Sequence, residues 1–445
     1  MKNLNLLRGL AFVFCLSATP CFAQTEKKPV DKNAALKAKL DKQADGIEAK
    51  VIAWRRDFHQ NPELSNREFK TAEKIAAHLR SLGFDDVKTG IAKTGVVGIL
   101  KGGKAGPVIA LRADMDALPV TERGNLPFKS TVRAVNNGIE SGVMHACGHD
   151  SHVAILMGTA EVLAKNKADL AGTIVFIFQP SEEGAPTGET GGAGDMIKEG
   201  VLDNPKVEVI FGLHIQSRDE AGTIHYRPLG TMASSDRLYI TIHGKQTHGA
   251  DPWLGVDPIV TGAAIIMGLQ TVVSRMTPLN ETPAVVTIGM FQAGNRENII
   301  PEEAKLLGTI RCLDPKIQKK VHENIKRVAT KIAEAEGATA DVEIVFGNPV
   351  TFNNPELTKK MLPSLEDAAG EANVHIKVPA TGAEDFAKYQ EKIPGFFFFL
   401  GGRPKNKTAV EVAPHHTPDF FIDESGFTLG VKAFCHLVVD YAAKK

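Results

Sequence analysis

The chain has 445 residues, with 52 basic and 52 acidic side chains and no formal net charge. That length holds a sizeable core and predicts two domains. The even charge excludes a nucleic-acid binder working through general basicity. The composition, 43% apolar and 23% charged with five cysteines, is that of an ordinary globular protein and excludes a disulfide scaffold.

The first segment reads as an export signal. Lys2 and Arg8 flank a start whose apolar stretch, residues 10–18, is far shorter than the roughly 20 residues of a membrane span. Cys21-Phe22-Ala23 before Gln24 forms a signal-peptidase site. Residues 1–23 are therefore expected to be a signal peptide, and the mature protein periplasmic or secreted. Cleavage leaves Cys147, Cys312 and Cys435, and an odd number in an exported protein implies a thiol with a role other than pairing. No other apolar run is read as crossing a bilayer, so no membrane partner is expected after cleavage. Residues 24–44, polar and rich in Lys and Ala, are expected to be a frayed lead-in.

Residues 45–235 read as the first part of a main domain. Asn66 is expected to cap a helix carrying Ala72, Ile75, Ala76, Leu79 and Leu82 at helical spacing, with Gly83 ending it. Three apolar runs, 107–111, 173–178 and 207–213, read as buried strands of a largely parallel sheet. Each is followed by polar residues: Arg112-Ala113-Asp114-Met115-Asp116, Gln179-Pro180-Ser181-Glu182-Glu183, and His214. Such strand ends are where open α/β sheets bind ligands. Residues 236–346 predict β-α-β-β-α-β, with Asp257-Pro258 and Asp314-Pro315 opening the helices, which is a ferredoxin-like α+β unit inserted in mid-chain. Residues 347–445 return to the first pattern, with helices over 355–369 and 423–443 and an aromatic strand over 396–400.

The densest chemistry is Met144-His145-Ala146-Cys147-Gly148-His149-Asp150-Ser151-His152, which holds thiol and imidazole, the preferred ligands of zinc-like metals. Cys147 and His149, two apart in a looped backbone, can aim at one point. His145 and His152 are either groups supporting the ligands or polar residues opening the next helix. Glu182-Glu183 can divide labour, one carboxylate binding metal and the other activating water. His214 is a further ligand candidate, while His415-His416, before Thr417-Pro418, is by itself of a kind more often structural.

These residues resemble the zinc-type aminoacylase/carboxypeptidase metallopeptidase superfamily. The likeness is greatest to its amidohydrolase branch, which includes hippurate hydrolase, N-acyl-amino-acid amidohydrolases and auxin-conjugate hydrolases. The resemblance runs from about residue 51 to the C-terminal helix. It is carried by Arg55-Arg56-Asp57-Phe58-His59, Asn61-Pro62-Glu63-Leu64-Ser65, the stretch from Arg112 to Pro119, the cysteine–histidine cluster and Gln179-Pro180-Ser181-Glu182-Glu183-Gly184. It continues through 244–252, Gly255-Val256-Asp257-Pro258, Asn298-Ile299-Ile300-Pro301, Gly308-Thr309-Ile310-Arg311, 382–386 and 416–420.

The resemblance implies a two-metal amidohydrolase whose catalytic domain is interrupted by a lid. Two divalent ions, of zinc, manganese, cobalt or nickel, would be held by a bridging Cys147 with His149, Glu183, His214 and His416. Glu182 would be general base and then general acid, His248 would polarise the scissile carbonyl, Asn298 and Arg311 would hold a substrate carboxylate, and Asp116 would orient a ligand. The implied partners are a small amide carrying a carboxylate and a second copy through the inserted domain. Asp114 and Glu384-Asp385 match family positions without an assigned role. Trp253 stands where many relatives have His, and either shapes the acyl pocket or packs against the lid. Two rival readings remain: a metallo-dipeptidase or carboxypeptidase, and a non-catalytic binding protein on the same scaffold.

Overall fold

The computed structural model describes residues 33–443, so the expected signal peptide lies outside the described residues. An eight-stranded sheet runs in the order Asp86–Ile91, Gly95–Lys101, Ala171–Gln179, Lys104–Asp114, Val209–Glu220, Gly395–Arg403, Ile224–Tyr226, Val374–Ile376. From Ala171–Gln179 to Gly395–Arg403, successive strands pair parallel. Their apolar runs are continuous because both faces are covered. Ile174, Phe176 and Phe178 enter one core, while Val175 and Ile177 enter another on the opposite face. The Gly395–Arg403 strand divides in the same way, with Phe396 and Phe398 on one side and Phe397 and Phe399 on the other.

The expected frayed lead-in is corrected over its second half. Ala34–Asp45 is a helix that buries Leu40 and Ala44 against the main core. Lys37 also reaches Asp367 and Asp440 at 2.7 and 3.3 Å. Apolar residues at four-residue spacing and buried partners near the far end of the chain outweigh the polar composition.

Asn66 is likewise not a helix cap. The helix is Phe69–Ser81, and Asn66, at φ 61°, donates instead to Glu189 and to the carbonyl of Thr190. Gly83, at φ +73°, follows the helix end as expected.

A second sheet of four antiparallel strands has the order Ala284–Ala293, Glu303–Cys312, Asp236–His243, Thr339–Val345. Two helices, Pro258–Met276 and Pro315–Ala335, share a separate core with it. Asp257 and Asp314 cap them by accepting N–H groups of the first turn. Pro258–Met276 is long and apolar enough, by length and composition, to cross a membrane, which the sequence reading did not register. It packs one face, Ile265, Leu269 and Val272, against the sheet and leaves Val260 and Met267 exposed.

The chain enters and leaves this unit side by side. Ser235 donates to the Asn348 carbonyl at 2.9 Å, and Asn348 donates back to the Ser235 hydroxyl at 3.0 Å. Asp236 accepts from Gln318 and from the His322 ring at 2.7 and 2.9 Å. Gly347 is required here, because a Cβ would lie 1.9 Å from the Ser235 carbonyl oxygen.

Candidate metal centre

Five chain segments converge at this end of the parallel strands, the fifth carrying His416. The Lys104–Asp114 strand delivers Arg112 and Asp114, with Asp116 just after it. The Ala171–Gln179 strand ends at Gln179, and Ser181 at φ 53° turns the chain so that Glu182 and Glu183 follow. His214 does not follow its strand as expected but lies within it, since Val209–Glu220 runs on past it in register with Gly395–Arg403. Gly148, at φ +93°, joins Cys147 to His149, the first residue of the His149–Lys165 helix. A Cβ at Gly148 would meet Ile215 at 2.5 Å, so only glycine lets this loop lie against the strand that carries His214.

Two ligand-type groups meet at one thiol. Cys147, His149 and His214 place donor atoms within 4.8 Å of one another, and so do Cys147, Glu183 and His416. Cys147 Sγ lies 3.4 Å from His214 Nε2 and 3.2 Å from His416 Nε2. His416 Nε2 is 3.1 Å from Glu183 Oε1. Glu182 falls in a further group with His149 and Glu183.

Hydrogen bonds behind the ligands set their orientation. His149 Nδ1 bonds the Asp116 carbonyl at 2.9 Å and His214 Nδ1 that of Ile215 at 2.6 Å, so each ring turns Nε2 toward the cluster. The Asp116 carboxylate accepts the N–H groups of Glu182 and Glu183 at 3.0 and 3.1 Å and the Ser65 hydroxyl at 2.7 Å. Ser181 is fastened by Asn66 and Glu68, through its hydroxyl at 2.6 Å and its N–H at 3.0 Å. His152 bridges Asp114 at 2.5 Å and the Ile215 N–H at 2.8 Å. His415 contacts the Cys147 carbonyl at 3.2 Å through Nδ1 and accepts from Ser217 N–H through Nε2.

The electrostatics suit bound cations. Burial pushes the Cys147 thiol well above its ordinary range, with Glu183 and Glu182 adding to it, so a thiolate there needs a positive partner. Burial would lower the His149 imidazole, but Asp114 and Asp116 outweigh it and hold the ring up at about 10. His149 Nε2 is buried with no hydrogen-bond partner. Soft and borderline donors around an unpartnered imidazole nitrogen fit zinc-like divalent ions.

Not every expected residue joins this group. His248 is exposed on the short strand Thr247–His248, paired with Ile299–Ile300, and its Nδ1 accepts from Ala250 N–H. Asn298 is its neighbour, since Gly249 donates to the Asn298 carbonyl. Arg311, on Glu303–Cys312, donates to the Ser234 carbonyl at 3.4 Å. Trp253 is 74% exposed in the turn after His248.

Sequence reasoning quoted Arg112 but gave it no part of its own; it is fully buried and donates to Gln179, Asp114, Glu384 and Asp385. A charged residue closing an apolar strand run was the available signal. The part played by His415 was also missed, and nothing local to it marks that part.

The model of the peptidase family M20/M25/M40 matches residues 110–440. The chain belongs to that family.

Among M20 relatives, "Thermostable carboxypeptidase 2" of Saccharolobus solfataricus is 39% identical over 91% of this chain and 99% of its own. "N-acetylcysteine deacetylase" of Bacillus subtilis is 40% identical over 88% and 96%. Among solved structures, the Bacillus subtilis YXEP protein, described as a dinuclear metal binding peptidase from the M20 family, superposes with a TM-score of 0.75. It is 37% identical over 90% of this chain and all of its own. This M20 chain is a metal-dependent hydrolase, with a large mostly parallel sheet flanked by helices and clustered ligands for a dinuclear centre.

Proposed function

We propose that the protein cleaves the amide bond of N-acyl amino acids or related small conjugates carrying a carboxylate. The observation that carries this reading is the sharing of Cys147 by two ligand groups, with Glu182 beside them. Cys147, His149, His214, Glu183 and His416 would hold two divalent ions. When bound, such ions acidify a water and polarise the substrate carbonyl.

Glu182 takes the proton from the attacking water as its oxygen bonds the carbonyl carbon. The carbon–nitrogen bond then breaks, and Glu182 returns the proton to the leaving nitrogen. Burial, then Glu384 and Glu183, push the Glu182 carboxyl well above the usual carboxylate range, which suits a group that must accept a proton. His248, on the lid, is assigned to the carbonyl oxygen, and Asn298 and Arg311 to the substrate carboxylate. Asp116 orients His149 and the Glu182–Glu183 turn.

A Glu182→Ala variant, assayed on N-acetyl and N-benzoyl amino acids, should lose turnover; full activity would sink the mechanism. A second reading, cleavage of short peptides, is favoured by the carboxypeptidase name of the archaeal relative. Comparing free with N-blocked dipeptides separates the two.

The inserted unit is also proposed to pair with a second copy. What supports this is the exposed apolar side of Pro258–Met276 and the neighbouring edge strand Ala284–Ala293 with Met290 and Phe291 exposed. Export to the periplasm or medium rests on the signal-like first 23 residues, and the N-terminal sequence of the secreted form tests it.

A further inference from the structure

Glu384 and Asp385 have no part in the chemistry assigned so far, yet they are buried against the base. The Asp385 N–H donates to Glu182 Oε1 at 3.3 Å. This donor is held unusually firmly. Asp385 Oδ1 accepts from Arg112 at 2.9 Å and from the Gln179 amide at 2.7 Å. Its Oδ2 accepts from the same amide at 2.9 Å and from Ala193 N–H at 2.7 Å. Gly192 leaves room for it, since a Cβ there would lie 2.5 Å from Oδ2. Arg112 extends the frame to Asp114, at 2.6 Å, and to Glu384, at 2.9 Å. Arg112, Glu384 and Asp385 are all at least 98% buried, so the frame has little freedom.

We propose that Asp385 is a positioning residue for Glu182: its carboxylate, fixed by Arg112, Gln179 and Ala193, anchors the main-chain N–H that holds one oxygen of the base. The other Glu182 oxygen is then left free to take the proton. Even on a fastened turn a glutamate side chain samples several rotamers, and an anchored hydrogen bond selects one. This inference rests on the reading of Glu182 as the base.

The test compares Asp385→Asn with Glu182→Asp and the double variant in the metal-loaded enzyme, using an N-acyl amino acid. Asparagine keeps the shape and removes the charge that Arg112 and Gln179 grip. Asp385→Asn should lower kcat about 10- to 100-fold. KM should stay within about twofold and metal content should match that of the wild type. In the Glu182→Asp background the side chain is too short to reach the Asp385 N–H, so the second substitution should cost nothing further. Wild-type kcat in Asp385→Asn, a loss that follows lost metal or raised KM, or an additive loss in the double variant would each overturn the proposal. If Asp385→Asn does not fold, Gln179→Met removes two contacts to the same carboxylate and is read by the same outcomes. Full activity in Glu182→Asp and in Glu182→Ala would instead defeat the assignment of the base, which is a separate failure.

Discussion

Cys147 Sγ lies 3.2 Å from Nε2 of His416, a residue 269 positions further along the chain. The same sulfur lies 3.4 Å from Nε2 of His214. One thiol thus belongs to both ligand groups, and its loss should affect both. Cys147→Ser is expected to bind fewer than two metal ions per chain and to lose roughly 100-fold or more in activity. Elemental analysis after dialysis, alongside turnover, checks this; two retained ions would exclude a bridging role.

Asp116 ties the Glu182–Glu183 turn to the His149 side of the cluster through a single carboxylate. In Asp116→Asn an amide nitrogen would face an N–H group it cannot accept. Metal affinity should fall about 10- to 100-fold. Competition with a chelator of known affinity measures it, and unchanged affinity would remove Asp116 from the support of the site.

Glu68 supplies a pH dependence. Burial, then the nearby Asp116, push its carboxyl up to about 7 from an ordinary 4.5. The native state therefore favours the protonated form. Its contribution to stability is complete below about pH 4.5 and is lost as the pH rises through about 7. Glu68→Gln carries no charge at any pH, so the stability difference should move toward the variant by a few kcal/mol between pH 4.5 and 8. Urea denaturation of the metal-loaded proteins across that range gives the answer, and a constant difference would refute it.

Much of the fold was legible because burial on both faces writes an unbroken apolar run into a strand, as at Ile174–Phe178. The clustering of Cys147 with His149 and of Glu182 with Glu183 was legible because their residue types are rare together at short spacing. Asn66 misled because its local cap propensity lost to partners more than 100 positions away. Arg112 was silent for a related reason. A charge at a strand end reads as exposed until Asp114 on its own strand is joined by Glu384 and Asp385 from a segment about 270 positions away.

The N-terminal helix gives a stability test. Leu40 is fully buried in the main core. Leu40→Ala should cost about 2–5 kcal/mol. A change near zero in chemical denaturation would return this segment to a frayed lead-in.

Association through the inserted unit is tested on its helix. Met267, 70% exposed, and Val260 lie on the apolar side of Pro258–Met276. Val260→Asp with Met267→Glu should convert a dimeric wild type to monomer in sedimentation velocity, while the inserted unit keeps its own core. A monomeric wild type at micromolar concentration would end the dimer reading.

The paired backbone at Ser235 and Asn348 has a consequence for how such a protein can change. A module whose two ends already touch can be excised, replaced or lengthened without asking the remaining chain to span a gap. A short turn joining those two residues would leave the strands beneath the cysteine–histidine cluster in place. The inserted unit is therefore free to change in length and sequence at a different pace from the strands that carry the cluster.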